Sequence, residues 1–265
     1  VSTTSSAGNL APGTYTITIT DANGCTALQT ATIAGSSQPV LSLNNHADVS
    51  CFGLNDGSTG VNITGGLSPY TIGWSNGAST NNLNNIGAGV YTVNVSDAAG
   101  CLATLTDTIT EPSAFNVNLV SSTNINCFGA NTGAATVAAT GGAGGNTWAW
   151  TNSASQQPSI SGVGAGTYIA TATDQNGCSA SVIVVITQPS AGISIQGTIT
   201  PTTCGNNDGA VNVTVNGGTV PYTYTWSNGA GTVSLQNLIA GIYTLSVTDG
   251  RGCTKSETFT VPASN

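Results

Sequence analysis

The chain has 265 residues, of which 39% are hydrophobic and only 5% charged. Two cations, Arg251 and Lys255, face ten acids for a net charge of −8, so no basic patch exists to hold nucleic acid or an anionic membrane surface. No apolar run reaches the roughly 18 residues of a membrane-spanning helix, and a surface built of Ser, Thr, Asn and Gly suits a protein standing outside the cell.

The first residues, VSTTSSAGNLAPG, lack the basic and apolar regions of a signal peptide. They lead into APGTYTITITDANGC (Ala11 to Cys25), a phrase that returns as GAGVYTVNVSDAAGC (Gly87 to Cys101), GAGTYIATATDQNGC (Gly164 to Cys178) and IAGIYTLSVTDGRGC (Ile239 to Cys253). Its tyrosines, Tyr15, Tyr91, Tyr168 and Tyr243, recur at intervals of 75–77 residues. A period that long is a small domain rather than a solenoid turn of about 20–50 residues. Residues 1–39 then read as the back half of one repeat, followed by complete repeats at 40–112, 113–189 and 190–262.

The first complete repeat shows the layout. A strand-like VLSLN (Val40 to Asn44) precedes the Gly/Asn/Asp-rich loop CFGLNDGS (Cys51 to Ser58). Alternating segments follow at Ser58 to Gly66 and Ser68 to Gly77, the second closed by an Asn-Gly turn signal. A short stretch, ASTNNLNNI (Ala78 to Ile86), reads as one strand or two. Val90 to Asp97 alternates again, turns at Asp97 to Gly100, and returns as Leu102 to Thr110 before Glu111-Pro112. Pro39, Pro189 and Pro262 mark equivalent boundaries, where proline suits a stiff, extended joint. Short β-branched strands with frequent turn signals, and no sustained helical period, predict an all-β chain of antiparallel sandwiches in linear array with almost no helix.

Two positions per repeat stand out as core. Trp74, Trp150 and Trp226 end the third strand, where a large ring fills the space between sheets. The run Leu83 to Tyr91, repeated at Leu235 to Tyr243, matches the corner of immunoglobulin-like domains in which a tyrosine hydroxyl bonds upstream backbone. Tyr15 and Tyr168 hold the same place in the repeated phrase and are read, with Tyr91 and Tyr243, as core residues.

Seven cysteines fall into two classes: Cys51, Cys127 and Cys204 at the front of a repeat, and Cys25, Cys101, Cys178 and Cys253 closing the D-x-x-G-C turn. Paired cysteines in small repeated domains imply disulfides and an oxidising compartment. No C-x-x-C occurs and a single histidine serves the chain, so neither a metal centre nor a cofactor site is expected. Pairing within each repeat is the expected pattern: Cys51–Cys101, Cys127–Cys178 and Cys204–Cys253, with Cys25 bonded to a partner outside the chain. Pairing between repeats is the alternative. If four strands separate the two cysteines they meet at one end of a sandwich, and if five they do not. A disulfide closing a 50-residue loop would add about 4 kcal/mol to a bead that is otherwise marginal for its size.

The remaining polar residues have plain readings beside sharper ones. Asp21, Asp97, Asp174 and Asp249 each open a tight turn, which explains them better than calcium, since each turn offers one carboxylate. The N-D-G triplets at Asn55 to Gly57 and Asn207 to Gly209 carry the same reading, and the middle repeat has Thr132-Gly133 instead. His46 has no repeat equivalent and is expected to be solvated. Tyr70, Tyr222, Tyr224 and Trp148 are read as packing residues in preference to an exposed platform for sugars. No catalytic triad or carboxylate pair recurs, so no catalytic residue is expected.

With these motifs assembled, the units resemble SprB-type repeats of giant cell-surface adhesins from gliding bacteria. The matching pieces are Cys51 to Ser58, Gly65 to Gly77 and Ala88 to Cys101, and again Cys204 to Gly209, Pro221 to Gly229 and Ala240 to Asp249. The middle repeat departs from the pattern at Gly145-Asn146, Trp148 and Thr151 to Ser153, which puts its local hairpin in question. The resemblance implies export by the type IX route and display at the cell surface as long fibres, without catalysis. The expected role is a stalk or fibre segment whose partners are further copies of the repeat or neighbouring chains. An array of carbohydrate-binding modules, with surface polysaccharide as partner, is the alternative.

Overall fold

The computed structural model describes residues 5–35, 37–204 and 206–264. Residues 1–4 and Ser36 of the leading segment, and Gly205 within the Cys204 to Gly209 motif, lie outside the described residues. Two compact units are present, Val1–Ser113 and Ala114–Asn265.

The first unit opens with an antiparallel hairpin, β1 (Gly13–Thr20) and β2 (Thr26–Ile33), paired from Gly13↔Ile33 to Thr20↔Thr26. It then forms a bead from β3 (Val40–Ala47), β4 (Gly57–Thr64), β5 (Thr71–Trp74), β6 (Asn82–Ile86), β7 (Gly89–Ser96) and β8 (Leu102–Ile109). The second unit repeats that bead twice. Its first bead comprises β9 (Asn116–Thr123), β10 (Gly133–Thr140), β11 (Thr147–Trp150), β12 (Ser159–Val163), β13 (Gly166–Thr173) and β14 (Ser179–Ile186). Its second comprises β15 (Ser194–Thr200), β16 (Thr202–Thr203), β17 (Gly209–Asn216), β18 (Thr223–Trp226), β19 (Leu235–Leu238), β20 (Gly241–Thr248), β21 (Thr254–Val261) and β22 (Ala263–Ser264). Among the described residues no helix forms. The fold is all-β and immunoglobulin-like, as the periodicity predicts.

Each bead is two three-stranded antiparallel sheets, ordered β3-β4-β6 with β5-β7-β8, β9-β10-β12 with β11-β13-β14, and β15-β17-β19 with β18-β20-β21. The alternation read from sequence places one face of each strand inside. In β7, Val93 and Val95 are fully buried while Asn94 faces out. On the outward face, hydroxyls pair across strands at Thr92–Thr106, Thr171–Ser181 and Thr244–Thr258, covering the sheets with neutral polar groups. Three separate cores result, one around Val61, Trp74 and Val93, one around Val137, Trp150 and Ala170, and one around Val211, Trp226 and Leu245.

The direction of the strands decides which end of a bead each loop occupies. β4 runs from the end of the bead holding the Cys51 loop to the opposite end. β5 pairs antiparallel with the far half of β7, Thr71↔Ser96 to Trp74↔Val93. β6 pairs antiparallel with the near half of β4, Asn82↔Gly60 to Ile86↔Gly57. The two short strands therefore point the same way, one in each sheet, and together make a single traverse. The chain changes sheets midway, and the Trp74 ring fills the gap where it does so. Its indole Nε1–H donates to Thr80 O at 2.8 Å, as Trp150 does to Gln157 O at 2.9 Å and Trp226 to Thr232 O at 2.8 Å. Five traverses bring the first strand in at one end of a bead and the last strand out at the other.

Two local devices hold this path. The register slips between Gly57 and Ser58 opposite β6, where the extra residue Asn85 has φ 55°; Gly162 (66°) and Asn237 (55°) hold the same place in the other beads. At Gly57 a Cβ would come within 2.8 Å of Ile109 and 2.9 Å of the Ile86 carbonyl. The glycine of N-D-G is thus demanded by close packing under the last strand, beyond any need of a turn. The middle bead, despite its altered sequence, forms the same β11–β13 pairing through Trp150↔Ala170.

Candidate functional site

The corner expected at Tyr91 and Tyr243 forms, and Tyr15 and Tyr168 form it as well. Tyr15, Tyr91, Tyr168 and Tyr243 each donate to the carbonyl four residues upstream, at Ala11 (2.7 Å), Gly87 (3.0 Å), Gly164 (2.9 Å) and Ile239 (3.1 Å). Trp74, Trp150 and Trp226 are 5%, 6% and 2% exposed.

The aspartates of the D-x-x-G-C turns build the upper end of each bead. One oxygen of Asp249 accepts from the amides of Arg251 and Cys253, both at 2.9 Å, while the other accepts from Thr219 N at 2.9 Å on the neighbouring loop. Asp97 and Asp174 repeat the arrangement, reaching across to Leu67 N and Ala143 N. Asp21 has the first half of it, with Asn23 N at 2.9 Å and Cys25 N at 2.8 Å. Burial pushes the carboxyls of Asp97 and Asp249 upward, but the converging backbone N–H groups outweigh it and hold both below the usual range. For Asp174 the Ala143 amide is the largest influence and has the same effect. These oxygens are committed to N–H donors, so the turns are structural clasps that also present the cysteine.

A pH dependence follows from the direction of these shifts. A carboxyl depressed in the folded state contributes stability above its unfolded pKa, and that contribution is lost as pH falls through the folded value. The contribution of these three carboxyls to thermal stability should stay level from neutrality down to about pH 4 and then fall, because the unfolded carboxyls titrate near 3.8. Asp97→Asn, Asp174→Asn and Asp249→Asn combined should flatten the acid limb in calorimetry. An unchanged limb would show that other acids carry it.

The lower end of each bead holds the front cysteine, in the loop between its first full strand and the one after it. In the first bead Asp56 accepts from Ser50 N at 3.0 Å and from the Ser50 hydroxyl, fixing the residue beside Cys51. Asp208 does the same for Thr203 beside Cys204, with Thr203 N at 2.8 Å. The hydroxyl partner leads in lowering both carboxyls. The boundary residues clamp the same loops from below, Glu111 accepting from Gly53 N at 2.6 Å and Gln188 from Gly129 N at 2.9 Å.

This geometry overturns the expected pairing. Within a bead the two cysteine classes sit at opposite ends of an eight-residue strand, which at ~3.3 Å per residue separates them by roughly 25 Å. A disulfide needs Cα atoms about 4.4–6.8 Å apart. Cys51–Cys101, Cys127–Cys178 and Cys204–Cys253 are therefore excluded. Cys127 bonds instead to Cys253, with Cα atoms 5.6 Å apart across 126 residues, joining the lower loop of one bead to the upper hairpin of the next. Cys51 and Cys178 are disulfide-bonded as well. Cys25 and Cys204 are exposed thiols. The strand count misled because four strands make only three traverses when β5 and β6 run the same way.

Around the Cys127–Cys253 bond, the joint between these two beads is packed by backbone and one ring. Cys253 Sγ lies 3.5 Å from Asn126 O, and Phe128 lies so close to Gly192 that a Cβ there would sit 3.4 Å from its ring. Phe128, Gly192, Ile193, Thr254 and Lys255 line a shallow groove beside the disulfide.

His46 is not simply solvated. Its Nδ1 lies 3.0 Å from an Asp107 oxygen, and Asp107 accepts from the Thr59 hydroxyl at 2.5 Å. Thr59 is fully buried and Asp107 7% exposed. The hydrogen bond to Asp107, then its charge, raises the His46 pKa. Burial opposes ionisation of Asp107, but His46 and Thr59 hold its carboxyl below the usual range. Equivalent positions in the other beads are apolar, Ala135 with Val184 and Val211 with Phe259, so this cluster is one bead's polar substitute for core packing. The Thr59 hydroxyl is directed at Asp107 and sealed from solvent. Tyr70, Tyr222, Tyr224 and Trp148 all pack against the hydrophobic cores, and the hydroxyls of Tyr70 and Tyr222 donate to Gly65 O and Gly217 O at 2.5 Å.

The sequence profile of the SprB repeat matches residues 43–79, 119–155 and 196–231, each time from the first strand of a bead to just past its tryptophan. No curated protein sequence matches the chain. Among solved structures, the N-terminal eight Ig domains of Down Syndrome Cell Adhesion Molecule (DSCAM) isoform 1.30.30 align at 15% identity and a TM-score of 0.38, covering 96% of this chain and 46% of that one. The chain thus spans less than half the length of that array. PcdhgB3 EC1-4 aligns at 11% identity over 96% and 83% of the two chains, with a TM-score of 0.36. A tetra-tandem repeat in the extending region of a large adhesion protein aligns at 16% identity over 97% and 84%, with a TM-score of 0.26.

Proposed function

Since the chain carries SprB repeats at three tandem positions, we propose that it is a stalk segment of a secreted, surface-displayed adhesin. Its beads span 40–112, 113–189 and 190–262, and each serves as a spacer. The family resemblance supports export by the type IX route and a place among gliding-motility adhesins. Length comes from repetition, and weak contacts by many beads would add through multivalency. Further repeats and neighbouring chains are the partners this reading implies, with no catalytic step.

One observation carries the reading: the Cys127–Cys253 bond ties consecutive beads across their joint. A covalent staple at that place bears load between spacers and does nothing for a binding cleft. Single-molecule stretching tests it. Under oxidising conditions, pulling from the two termini should leave the 126-residue loop between these cysteines unextended. Reductant, which also opens the bonds of Cys51 and Cys178, should release additional contour of which this loop accounts for up to about 420–450 Å at ~3.3–3.6 Å per residue. Release of that length without reductant would sink the load-bearing role. Saturable binding of a polysaccharide, abolished by Tyr222→Ala, would replace the stalk with the carbohydrate-binding reading.

A further inference from the structure

Cys204 occupies in its bead the place that Cys127 occupies in the preceding one. Both stand in the lower-end loop just before the long strand that opens with the close-packed glycine, Gly133 in one case and Gly209 in the other. Cys127 is bonded to the upper hairpin of the bead below it, whereas Cys204 is an exposed thiol. Its loop is already set, because Asp208 clamps the adjoining Thr203 through N and Oγ1, and Thr202–Thr203 pairs in parallel with Ala263–Ser264. At the other class of position, Cys25 is an exposed thiol on a β1–β2 hairpin built like the one that presents Cys253. Asp21 holds the amides two and four residues on, as Asp249 does.

From this correspondence we propose that Cys204 is the open half of a further inter-bead staple, whose other half is the D-x-x-G-C hairpin thiol of another repeat. In a second copy of this chain, Cys25 presents that thiol. The contact is heterologous, lower loop to upper hairpin, so it propagates head to tail without closing. It goes beyond the stalk reading by naming the surface through which segments extend one another.

The chemistry is two exchanges with an oxidising disulfide such as oxidised glutathione. The Cys25 thiol loses its proton and the thiolate attacks one glutathione sulfur, giving a mixed disulfide and one reduced glutathione. The Cys204 thiolate then attacks the Cys25 sulfur, forming the Cys25–Cys204 bond and expelling the second glutathione. Two protons and two electrons leave the protein thiols and reduce one glutathione disulfide to two thiols.

The test uses the full chain and two variants, C25S and C204S, in a glutathione redox buffer over a concentration series. Wild type should give a concentration-dependent covalent ladder on non-reducing gels. Each variant alone should remain monomeric, while their mixture should give a dimer and nothing longer, since one supplies Cys204 and the other Cys25. Peptide mapping of that dimer should find Cys25 joined to Cys204, with Cys127–Cys253 intact. The mixed dimer also shows that both variants fold. A wild-type chain that stays monomeric at every concentration, or a ladder that persists in either variant alone, overturns the proposal. Neither result bears on the stretching behaviour of the Cys127–Cys253 loop, so the stalk reading stands or falls separately.

Discussion

Replacing Trp226 with alanine should unfold the bead of β15 to β22 while leaving the other two intact. The ring is 2% exposed and lies 5.8 Å from Phe259, at the point where β18 hands over to β19. Removing it opens a cavity between sheets at the one place where neither sheet is continuous, and leaves Thr232 O without its indole donor. Large aromatic-to-alanine changes in cores cost about 3–5 kcal/mol. A bead of ~75 residues has a total stability of the same order, roughly 4–11 kcal/mol at the usual per-residue value. Calorimetry should show one transition lost or moved down by more than ~15 °C, with the remainder of the profile retained. A shift of only a few degrees would mean that the core collapses around the gap and that the crossover does not depend on the ring. Trp226→Phe should recover part of the loss, because it restores volume without the indole hydrogen bond.

Breaking the Cys127–Cys253 bond should have the second large effect, and of a different kind. The bond closes a loop of 126 residues, for which the chain-entropy relation gives about 5 kcal/mol of constraint on the unfolded state. That figure is a ceiling, since the opened joint also gains freedom in the folded state. The C127S/C253S pair should lower the melting temperature of both beads in the second unit. Each bead keeps its own core around Trp150 or Trp226, so neither should be lost. Scattering should report a joint that bends more freely. Unchanged melting temperatures would show that contacts such as Phe128 against Gly192 already lock the joint without the covalent link.

Much of this architecture is written locally. The period of the tyrosine phrase marks each bead, the alternation of Val and Thr in strands such as β7 and β20 marks the inward face, and D-x-x-G-C specifies its hairpin through contacts no more than four residues apart. The corner tyrosines reach back four residues, and the tryptophans find their carbonyl partners six or seven residues on. All of these lie within the reach of a short segment, so the sequence alone determined them. His46 was legible only as an oddity, because Asp107 and Thr59 come to it from two other strands. The same holds for Gly57, where the demand comes from Ile109 overhead.

The cysteine pairing belongs to the tertiary structure. Which end of a bead a cysteine reaches depends on the parity of traverses, and that parity turns on whether two short strands run together or opposed. β5 and β6 have the length and alternation of independent strands, yet each spans half a bead and lies in a different sheet. Only their partners, the far half of β7 and the near half of β4, show that they form one passage. That passage sends Cys127 to the lower end and Cys253 to the upper end of the next bead, because distance forbids pairing within a bead and the joint brings them together.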